Sequence, residues 1–230
     1  MRTGEKMKRL SRNSFPKNNP MVNYDEFAET FSNSRKNHHW PEVDFFLSEM
    51  QKSWVKSILD IGCGNGRFIE QAEKEGFSIW KYLWVDSSLG MIEQARKLHW
   101  EYRFEVGDMS KLEKWGDAEM IWKYDVILFL ASFHHLENRE DRLQVLRDIK
   151  PYLAPHGQIY MTNWNLLEQE RYTKSHRGGG DFDIKIGEYT RYYHGFTLLE
   201  LDSLFRECGY TIMENRVFEG GRNIVSRVNI

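Results

Sequence analysis

The feature that most constrains the fold is a glycine-rich run directly after a short apolar segment. Residues 57–61 are mostly apolar, Gly62, Gly64 and Gly66 follow at alternate positions, and residues 68–74 have apolar side chains at helical spacing. A strand, a tight loop and a helix in this order begin a βαβ unit. Glycines permit the tight turn and let backbone N–H groups approach a bound molecule. The sequence therefore predicts a ligand-binding loop at the start of a parallel sheet.

Strands and helices continue to alternate after this loop. Apolar patterns predict strands at 79–85, 102–106, 124–130 and 158–162, helices at 89–98, 139–153 and 198–208, and a closing pair of strands at 211–217 and 224–228 around a Gly220-Gly221 turn. The run 124–130 is almost unbroken in apolar residues, as expected of a central parallel strand. The pattern predicts an α/β fold, with a Rossmann-like seven-stranded sheet, mostly parallel, one antiparallel strand near its edge and helices on both faces.

Composition sets the ends of this domain. Residues 1–22 are rich in Lys, Arg, Asn and Ser and lack apolar periodicity, which predicts a disordered basic leader. Such a tail could also contact a phosphate backbone. Helical periodicity at 24–31 and 41–54 predicts two helices at the start of a domain that spans 23–230. Inside it, a polar segment at about 163–192 is longer than an ordinary connector, and we interpret it as a lid or substrate loop.

Composition also argues against several classes of protein. Cys63 and Cys208 are too few for a disulfide framework and are not spaced as a Cys-x-x-Cys pair. No run of about 18 apolar residues indicates a membrane span, and no apolar stretch follows the basic N-terminus as in a secretory signal. These features favour a cytoplasmic protein that does not enter a membrane.

Three acidic residues occur near the ends of successive predicted strands. Asp60 lies just before the glycines, Asp86 ends the second strand, and Asp108 follows the third. In open α/β sheets the carboxyl ends of the strands form the crevice in which ligands bind, so we expect the three carboxylates to converge. Asp60 could accept hydrogen bonds from a cationic or hydroxyl-bearing ligand, Asp86 could bind two ribose hydroxyls, and Asp108 could accept from an adenine amine.

The spacing of the loop distinguishes two classes of nucleotide-binding protein. The run from Asp60 to Gly66 has glycines at alternate positions, unlike the Gly-x-Gly-x-x-Gly of dehydrogenases. It resembles motif I of class I S-adenosylmethionine-dependent methyltransferases. The resemblance implies S-adenosyl-L-methionine as the cofactor. The implied cofactor-binding residues are Asp60, Gly62, Gly64, Gly66, Asp86, Ser87, Asp108, Met109 and Leu130.

Two clusters occupy positions where a methyl acceptor would bind. His134 and His135 follow the fourth strand, where they could hold an acceptor, shuttle a proton, or cap and pack; their spacing does not support a metal site. Arg191 begins an Arg-Tyr-Tyr-His run after the long polar segment and could bind a carboxylate or phosphate with its forked guanidinium. Packing against the sheet is the alternative role for Tyr192 or Tyr193.

These clusters resemble one family within the class. Residues 24–35 with Trp40-Pro41, the Phe-His-His-Leu run at 133–136, residues 191–196 and Arg222-Asn223 are similar to parts of the tRNA wobble-uridine carboxymethyl methyltransferases, over about residues 24–230. The resemblance implies methyl esterification of a 5-carboxymethyl uridine in tRNA, with a small zinc-binding activator subunit as a further partner. It suggests Arg35, His135 and Arg191 as a catalytic cationic clamp, and His134, Tyr193 and His194 as substrate-binding residues.

The chemistry of such an acceptor needs little from the protein beyond positioning. A carboxylate with a pKa near 4 is ionised at neutral pH, so its attack on a sulfonium methyl requires no general base. The alternatives are a small-molecule O- or N-methyltransferase and a non-catalytic binding module. Basic residues flanking the crevice would favour RNA, and Lys174, His176, Arg177, Lys185 and Arg191 are the candidates. Five tryptophans of the middle third are interpreted as covering the sheet and helices: Trp80, Trp84, Trp100, Trp115 and Trp122.

Overall fold

A computed structural model describes residues 39–114, 122–186 and 189–230 of the chain. The predicted leader, the predicted helix at 24–31, the candidate Arg35 and Trp115 lie outside the described residues. In the ranges described, no helix is both long enough and apolar enough to cross a membrane.

Helices and strands alternate along the chain as expected from the sequence. The helices are α1 (Pro41–Lys52), α2 (Arg67–Lys74), α3 (Leu89–Leu98), α4 (Arg139–Asp148) and α5 (Leu198–Glu207). The strands are β1 (Ser57–Ile61), β2 (Lys81–Asp86), β3 (Phe104–Val106), β4 (Tyr124–Leu130), β5 (Leu153–Trp164), β6 (His176–Gly178), β7 (Asp181–Ile186), β8 (Tyr189–His194), β9 (Thr211–Val217) and β10 (Asn223–Asn229). Short 3₁₀ turns occupy several of the connections.

A seven-stranded sheet forms the centre of the molecule, in the order β3-β2-β1-β4-β5-β10-β9. Strands β1 to β5 pair in parallel, whereas β10 is antiparallel to both β5 and β9. The predicted fold is therefore confirmed, including one antiparallel strand next to the edge. The carboxyl ends of β1, β2, β3 and β4 lie together at one edge of the sheet, which is where the acids and histidines of the sequence analysis lie.

Apolar cores lie on both faces of the sheet, because β4 and its neighbours are buried on both sides. One core contains Leu143 of α4 and Phe205 of α5. The other contains Phe46 of α1, Phe68 of α2 and Ile92 of α3. Burial of each such side chain contributes about 1.5–3 kcal/mol, and it fixes the loops that leave the sheet.

The predicted helix at 139–153 is wrong at its end. Helix α4 ends at Asp148, and residues Lys150–Tyr152 form a 3₁₀ turn. Pro151 has no N–H to continue the helical ladder, and the residue before a proline disfavours helical geometry. Strand β5 then begins at Leu153 and runs to Trp164, well beyond the predicted 158–162.

The polar segment at 163–192, interpreted above as a loop, contains regular structure. Two 3₁₀ turns, Leu166–Glu168 and Glu170–Ser175, precede a separate antiparallel sheet of β6, β7 and β8. Phe182 and Ile184 alternate along β7 and are buried, which is the two-residue period of a strand with one covered face. Only a small apolar cluster supports this sheet, so its sequence signal is weak.

The interpretation of the tryptophans as a covering of the core is wrong for three of the four that are described. Trp84 in β2 is fully buried, whereas Trp80, Trp100 and Trp122 are 81%, 83% and 58% exposed. These three precede β2, β3 and β4 and stand outside the strand pairing, so they have no sheet face to cover.

Candidate active site

The glycine loop after β1 packs directly against the loop after β4. The N–H groups of Gly62 and Cys63 both donate to the Val85 carbonyl oxygen, at 2.8 and 3.1 Å. Gly62 has φ +79°, and a Cβ there would lie 2.3 Å from the Cβ of Ser132. Sterics therefore require glycine at this position. The Ser132 hydroxyl donates to the Ile61 carbonyl oxygen at 2.6 Å and joins the two loops.

Asp86 holds the same loop from the side of β2. Its Oδ2 accepts from the Gly64 N–H at 2.8 Å, and its Oδ1 accepts from the Ser88 N–H at 2.9 Å. The Ser88 hydroxyl in turn accepts from the Met91 N–H and caps α3. One carboxylate thus orients two loops at the carboxyl edge of the sheet.

Asp60 is a buried carboxyl with unused hydrogen-bonding capacity. Its Oδ2 accepts from the Tyr82 hydroxyl at 3.4 Å, whereas Oδ1 has no hydrogen-bond partner among the described residues. Burial raises the pKa of Asp60 well above its ordinary value, and the nearby charge of Asp86 acts in the same direction. Buried polar atoms are normally hydrogen-bonded, so an orphaned acceptor facing a cavity fits a ligand with N–H or O–H groups.

Asp108 completes the acidic rim. Its Oδ1 accepts from the hydroxyl and N–H of Ser110, and Lys111 Nζ donates to Oδ2 at 2.8 Å. Burial alone would raise the pKa of Asp108, but the hydrogen bonds from Lys111 and Ser110 hold it below its ordinary value. Asp108 is therefore ionised at neutral pH.

A cavity of about 1140 Å³ opens at this edge. Most of the predicted site residues line it: Asp60, Gly62, Gly64, Asp86, Ser87, Asp108, Met109, Leu130, His134, His135, Arg191 and Tyr193. Gly66 does not, since it starts helix α2 behind the loop. Asp60, Asp86 and Asp108 thus meet along one rim, and the narrow glycine turn leaves room beside them for an adenosine-bearing ligand.

The two adjacent histidines have opposite tautomers. His134 is fully buried, and its Nδ1 accepts from the Trp164 N–H at 3.2 Å, so the proton is on Nε2, which has no partner in the part of the chain described. His135 Nδ1 lies 3.1 Å from the Tyr192 carbonyl oxygen, so this nitrogen carries the proton and Nε2 can only accept. One imidazole therefore offers a donor and the other an acceptor.

Neither histidine is a cation at neutral pH. Burial lowers the pKa of His134 well below its ordinary value and lowers that of His135 to about 4. His135 therefore cannot supply the positive charge that the clamp prediction assigned to it. Arg191 can, because burial lowers the pKa of its guanidinium only to about 10.

An aromatic wall, which we define as Trp164, Tyr172 and Tyr193, lines the cavity beside Arg191. The rings of Trp164 and Tyr193 stack with centroids 4.9 Å apart, and Tyr172 stacks on Trp164 at 6.1 Å. The guanidinium of Arg191 lies 5.6 Å from the Tyr193 ring, and that of Arg171 lies 4.6 Å from the Tyr172 ring. The wall therefore has a cation near each end.

Sequence reasoning missed several of these residues. Trp164 ends β5 at the carboxyl edge, so a longer prediction for this strand would have placed it in the crevice. Arg171 and Arg222 line the cavity, whereas of the basic residues proposed to flank the crevice only Arg191 does. Arg177, for example, pairs with Asp183 at 3.2 Å.

The structure does not bring His194 to the cavity with the other predicted site residues. Its Nδ1 lies 3.2 Å from Asp181 Oδ1 and its Nε2 lies 2.8 Å from Glu200 Oε1, and the ring does not line the cavity. Tyr192 donates to the same Asp181 carboxylate at 2.7 Å, and Arg142 contacts Glu200 at 3.3 Å. This network, whose two carboxylates are partly exposed, ties β7 and β8 to α4 and α5 and so supports the strand that carries Arg191.

The start of α1 closes the opposite side of the cavity. The Trp40 ring lies 4.2 Å from the Arg67 guanidinium at the start of α2. Gln71 donates to the Trp40 carbonyl oxygen at 2.8 Å and accepts from its N–H at 3.2 Å. His39 and Trp40, which precede α1, therefore lie beside the glycine loop.

Comparison with known proteins agrees with this geometry. A family model described as a methyltransferase domain matches residues 59–159, which include the glycine loop, the three acids and the histidine pair. An amino pentose methyltransferase from Micromonospora echinaspora with bound S-adenosylmethionine has the same fold, with a TM-score of 0.65, 15% identity and coverage of 96% of this chain and all of that one. Fold and site together define the chain as a class I S-adenosylmethionine-dependent methyltransferase.

Within this class the chain is similar to tRNA (carboxymethyluridine(34)-5-O)-methyltransferases. It is 30% identical to the enzyme of that name from Saccharomyces cerevisiae over 71% of this chain and 53% of the relative, so it spans about half the length of that protein. It is 26% identical to the Schizosaccharomyces pombe enzyme, with 84% and 88% coverage. A putative methyltransferase in complex with the Trm112 methyltransferase activator of Haloferax volcanii has the same fold, with a TM-score of 0.65, 14% identity and coverage of 89% and 96%.

Proposed function

We propose that this enzyme transfers a methyl group from S-adenosylmethionine to the carboxylate of a 5-carboxymethyl uridine at the tRNA wobble position. The names of the two fungal relatives support this acceptor. The observation that carries the proposal is the placement of Arg191, a partly buried cation, on the wall of the cavity that contains the three acids and the glycine loop.

Arg191 fits the role of an anchor for an anionic acceptor. S-adenosylmethionine supplies an electrophilic methyl group on a sulfonium when bound, and a carboxylate can attack it without a general base. The chain must therefore orient the carboxylate and partly remove its water, and a forked guanidinium does both. With His135 neutral, the clamp is incomplete, which avoids excessive stabilisation of the bound ground state.

The cavity also suits a nucleotide. Aromatic faces stack on bases, and arginines bind phosphates. The aromatic wall lies beside Arg191, and Arg171 and Arg222 line the same cavity where a phosphate backbone would leave it.

Residues 163–192 act in this proposal as a lid over the acceptor, since Trp164, Arg171, Tyr172 and Arg191 all belong to this segment and line the cavity. A small zinc-binding activator subunit is proposed as a partner, and the neighbour that was solved with an activator supports this partner. In this proposal the enzyme acts on cytoplasmic tRNA.

The test is incubation of the protein with labelled S-adenosylmethionine and tRNA that carries unesterified carboxymethyl uridine, followed by nucleoside analysis. The reaction should be run with and without a co-expressed activator subunit. We expect a labelled, alkali-labile uridine ester. Label in another nucleoside, or none under either condition, would contradict the proposal.

A small-molecule acceptor is the second candidate, and the tautomer of His135 favours it. Its Nε2 can accept a proton, which a phenol or amine acceptor must lose. The dependence of kcat/KM on pH separates the two. A carboxylate acceptor predicts a flat profile from about pH 6 to 8, whereas an amine acceptor, which is an ammonium ion in this range, predicts a rate that rises with pH.

A further inference from the structure

Four exposed tryptophans stand at the amino ends of the first four strands, at the edge of the sheet opposite the cavity. Trp54, Trp80, Trp100 and Trp122 lie in the connections that enter β1, β2, β3 and β4, and they are 83%, 81%, 83% and 58% exposed. Large exposed aromatic side chains in a group usually indicate a binding surface. The catalytic site uses none of the four.

The strand register places the tryptophans in a staggered row. Trp54 lies four residues before Ile58 of β1, and Trp122 lies four residues before Val126 of β4. Ile58 and Val126 are opposite each other in the sheet. Trp80 likewise lies four residues before Trp84 of β2, and Trp100 lies four residues before Phe104 of β3. Trp84 and Phe104 are opposite each other. Because Ile58 of β1 lies opposite Tyr82 of β2, the pair on β1 and β4 is offset by two residues from the pair on β2 and β3. Neighbouring strands lie about 4.8 Å apart, so the row spans about 15 Å across the four strands.

Basic side chains alternate with the indoles along this row. Lys56, Lys81 and Lys123 follow Trp54, Trp80 and Trp122 within two residues. Lys56 Nζ lies 5.6 Å from the Trp80 ring, and Lys81 Nζ lies 3.5 Å from the Trp122 ring. Two of the lysines therefore lie against indoles, whereas the Lys123 ammonium donates to the Pro151 carbonyl oxygen.

Trp54 is exposed although its backbone has an unfavourable conformation for a residue with a side chain. Trp54 follows the end of α1 with φ +53°, a conformation that favours glycine. The Val55 N–H closes this turn on the Met50 carbonyl oxygen at 3.1 Å. The side chain is almost fully exposed and gains no burial in return, and strain of this kind occurs mainly at functional positions.

The chemistry of the row favours a nucleic acid over other partners. Protein interfaces are enriched in tryptophan but depleted in lysine. An interfacial membrane site separates an apolar face from a basic face, whereas two lysines here lie directly over indoles. Aromatic rings interleaved with cations instead suit single-stranded nucleic acid, in which bases stack and phosphates pair with lysines.

We propose that this surface, which we call the tryptophan edge and define as Trp54, Trp80, Trp100 and Trp122 with Lys56, Lys81 and Lys123, is a second RNA-binding site. Unpaired bases stack on its indoles, and the flanking phosphates bind its lysines. The proposal rests on the proposed function in one respect, namely that the RNA is the tRNA substrate. Strand β4 has seven residues, about 20 Å in length, so one tRNA can reach both edges of the sheet.

The test uses fluorescence anisotropy with a labelled, unmodified tRNA transcript and the full-length protein. The double variant Trp80→Ala/Trp100→Ala should bind tRNA at least about tenfold more weakly, the loss expected for one stacked base. In the methylation assay its KM for tRNA should rise with kcat unchanged, because a remote contact stabilises substrate and transition state equally. Leu199→Ala, which removes an 81% exposed side chain from α5, is the matched control and should leave the tRNA affinity unchanged.

Two further variants separate binding from folding and from charge. Trp54→Gly should weaken tRNA binding while raising the midpoint of thermal unfolding by about 2 °C, because glycine relieves the turn. Lys56→Gln/Lys81→Gln should lower the slope of log affinity against log salt by about 0.7 for each phosphate that a lysine no longer neutralises.

Unchanged tRNA affinity in the double tryptophan variant would overturn the inference. The inference would also be overturned if the double variant kept its tRNA affinity but no longer bound phosphatidylserine vesicles or an activator subunit. Wild-type protein that binds tRNA through this edge but forms no uridine ester would refute the proposed function and leave the inference standing.

Discussion

At the scale of single residues, the site depends on carboxylates whose surroundings give them different roles. Asp86 accepts two backbone N–H groups and so fixes the loops, whereas Asp60 is buried with an acceptor to spare. The sequence located both positions, because an acid at the end of a parallel strand faces the crevice. It could not predict the tautomers of His134 and His135, since these depend on two backbone groups that folding brings from β5 and β8.

Asp86→Ala should weaken S-adenosylmethionine binding by about 10-fold to 100-fold. The variant loses charge-assisted hydrogen bonds that hold Gly64 and Ser88, each of which contributes about 1.5–3 kcal/mol. Calorimetric titration would measure the change. Glu93→Ala, which removes an exposed acid from α3, is the control and should bind the cofactor normally. Unaltered affinity in Asp86→Ala would mean that the cofactor lies elsewhere.

Arg191→Ala should reduce kcat for methyl transfer by about 10²-fold, the effect of losing the orientation of a reacting group. Cofactor affinity should stay within about twofold, since Arg191 belongs to β8 and not to the loops after β1 and β2. Arg191→Lys, which keeps the charge but loses the fork, should recover only part of the rate. Equal rates for the wild type and Arg191→Ala would remove this residue from the mechanism.

At the scale of elements, segments with a strong apolar pattern were predicted correctly, whereas segments with few apolar residues were not. Strand β4 and helix α3 have the predicted bounds, because an unbroken apolar run and a helical period are local signals. The sheet of β6, β7 and β8 was missed, since its strands are short and its apolar cluster contains few residues. It is nevertheless the element that carries Arg191.

Gly180→Ala tests how this small sheet supports the site. A Cβ at Gly180 would lie 2.8 Å from His194 Cε1 and 3.0 Å from the Gly195 carbonyl oxygen, at φ +88°. We expect a loss of roughly 3 kcal/mol in the free energy of unfolding, together with a lower kcat. Gly179→Ala is the matched control, because its φ is also positive but no atom lies within 4 Å, and it should lose about 1 kcal/mol. Urea unfolding distinguishes the two, and equal losses would show that the contact with His194 is unimportant.

At the scale of the whole molecule, the parallel sheet separates two edges with different chemistry. Its carboxyl edge gathers the acids, the histidines and the cavity, as expected for an open α/β sheet. Its amino edge presents Trp54 together with Trp80, Trp100 and Trp122, and the sequence analysis interpreted the last three as covering the sheet and helices. The misinterpretation of these tryptophans has a physical cause. Composition shows that a residue is aromatic, but only the bounds of the strands show whether it lies within the sheet or in the connection that precedes a strand.

Burial of neutral histidines makes the stability of the fold depend on pH. An unfolded His135 takes up a proton near pH 6.5, whereas the folded one does so near pH 4. Between these values the unfolded state binds more protons, so the contribution of His135 is complete above pH 6.5 and is lost as the pH falls toward 4. Urea unfolding from pH 7 to 4.5 should show a smaller decline for His135→Asn than for the wild type. Parallel curves would contradict the shift.

The Oδ1 atom of Asp60, which has no hydrogen-bond partner among the described residues, should couple cofactor binding to the exchange of protons with the solvent. Burial raises the pKa of this carboxyl, and a positively charged ligand beside it favours the anion. Uptake of S-adenosylmethionine should therefore expel protons into the buffer. The apparent binding enthalpy should then differ between phosphate and Tris, whose ionisation heats differ, and Asp60→Asn should abolish the difference. The enzyme would in this way report the arrival of its methyl donor as a small release of acid.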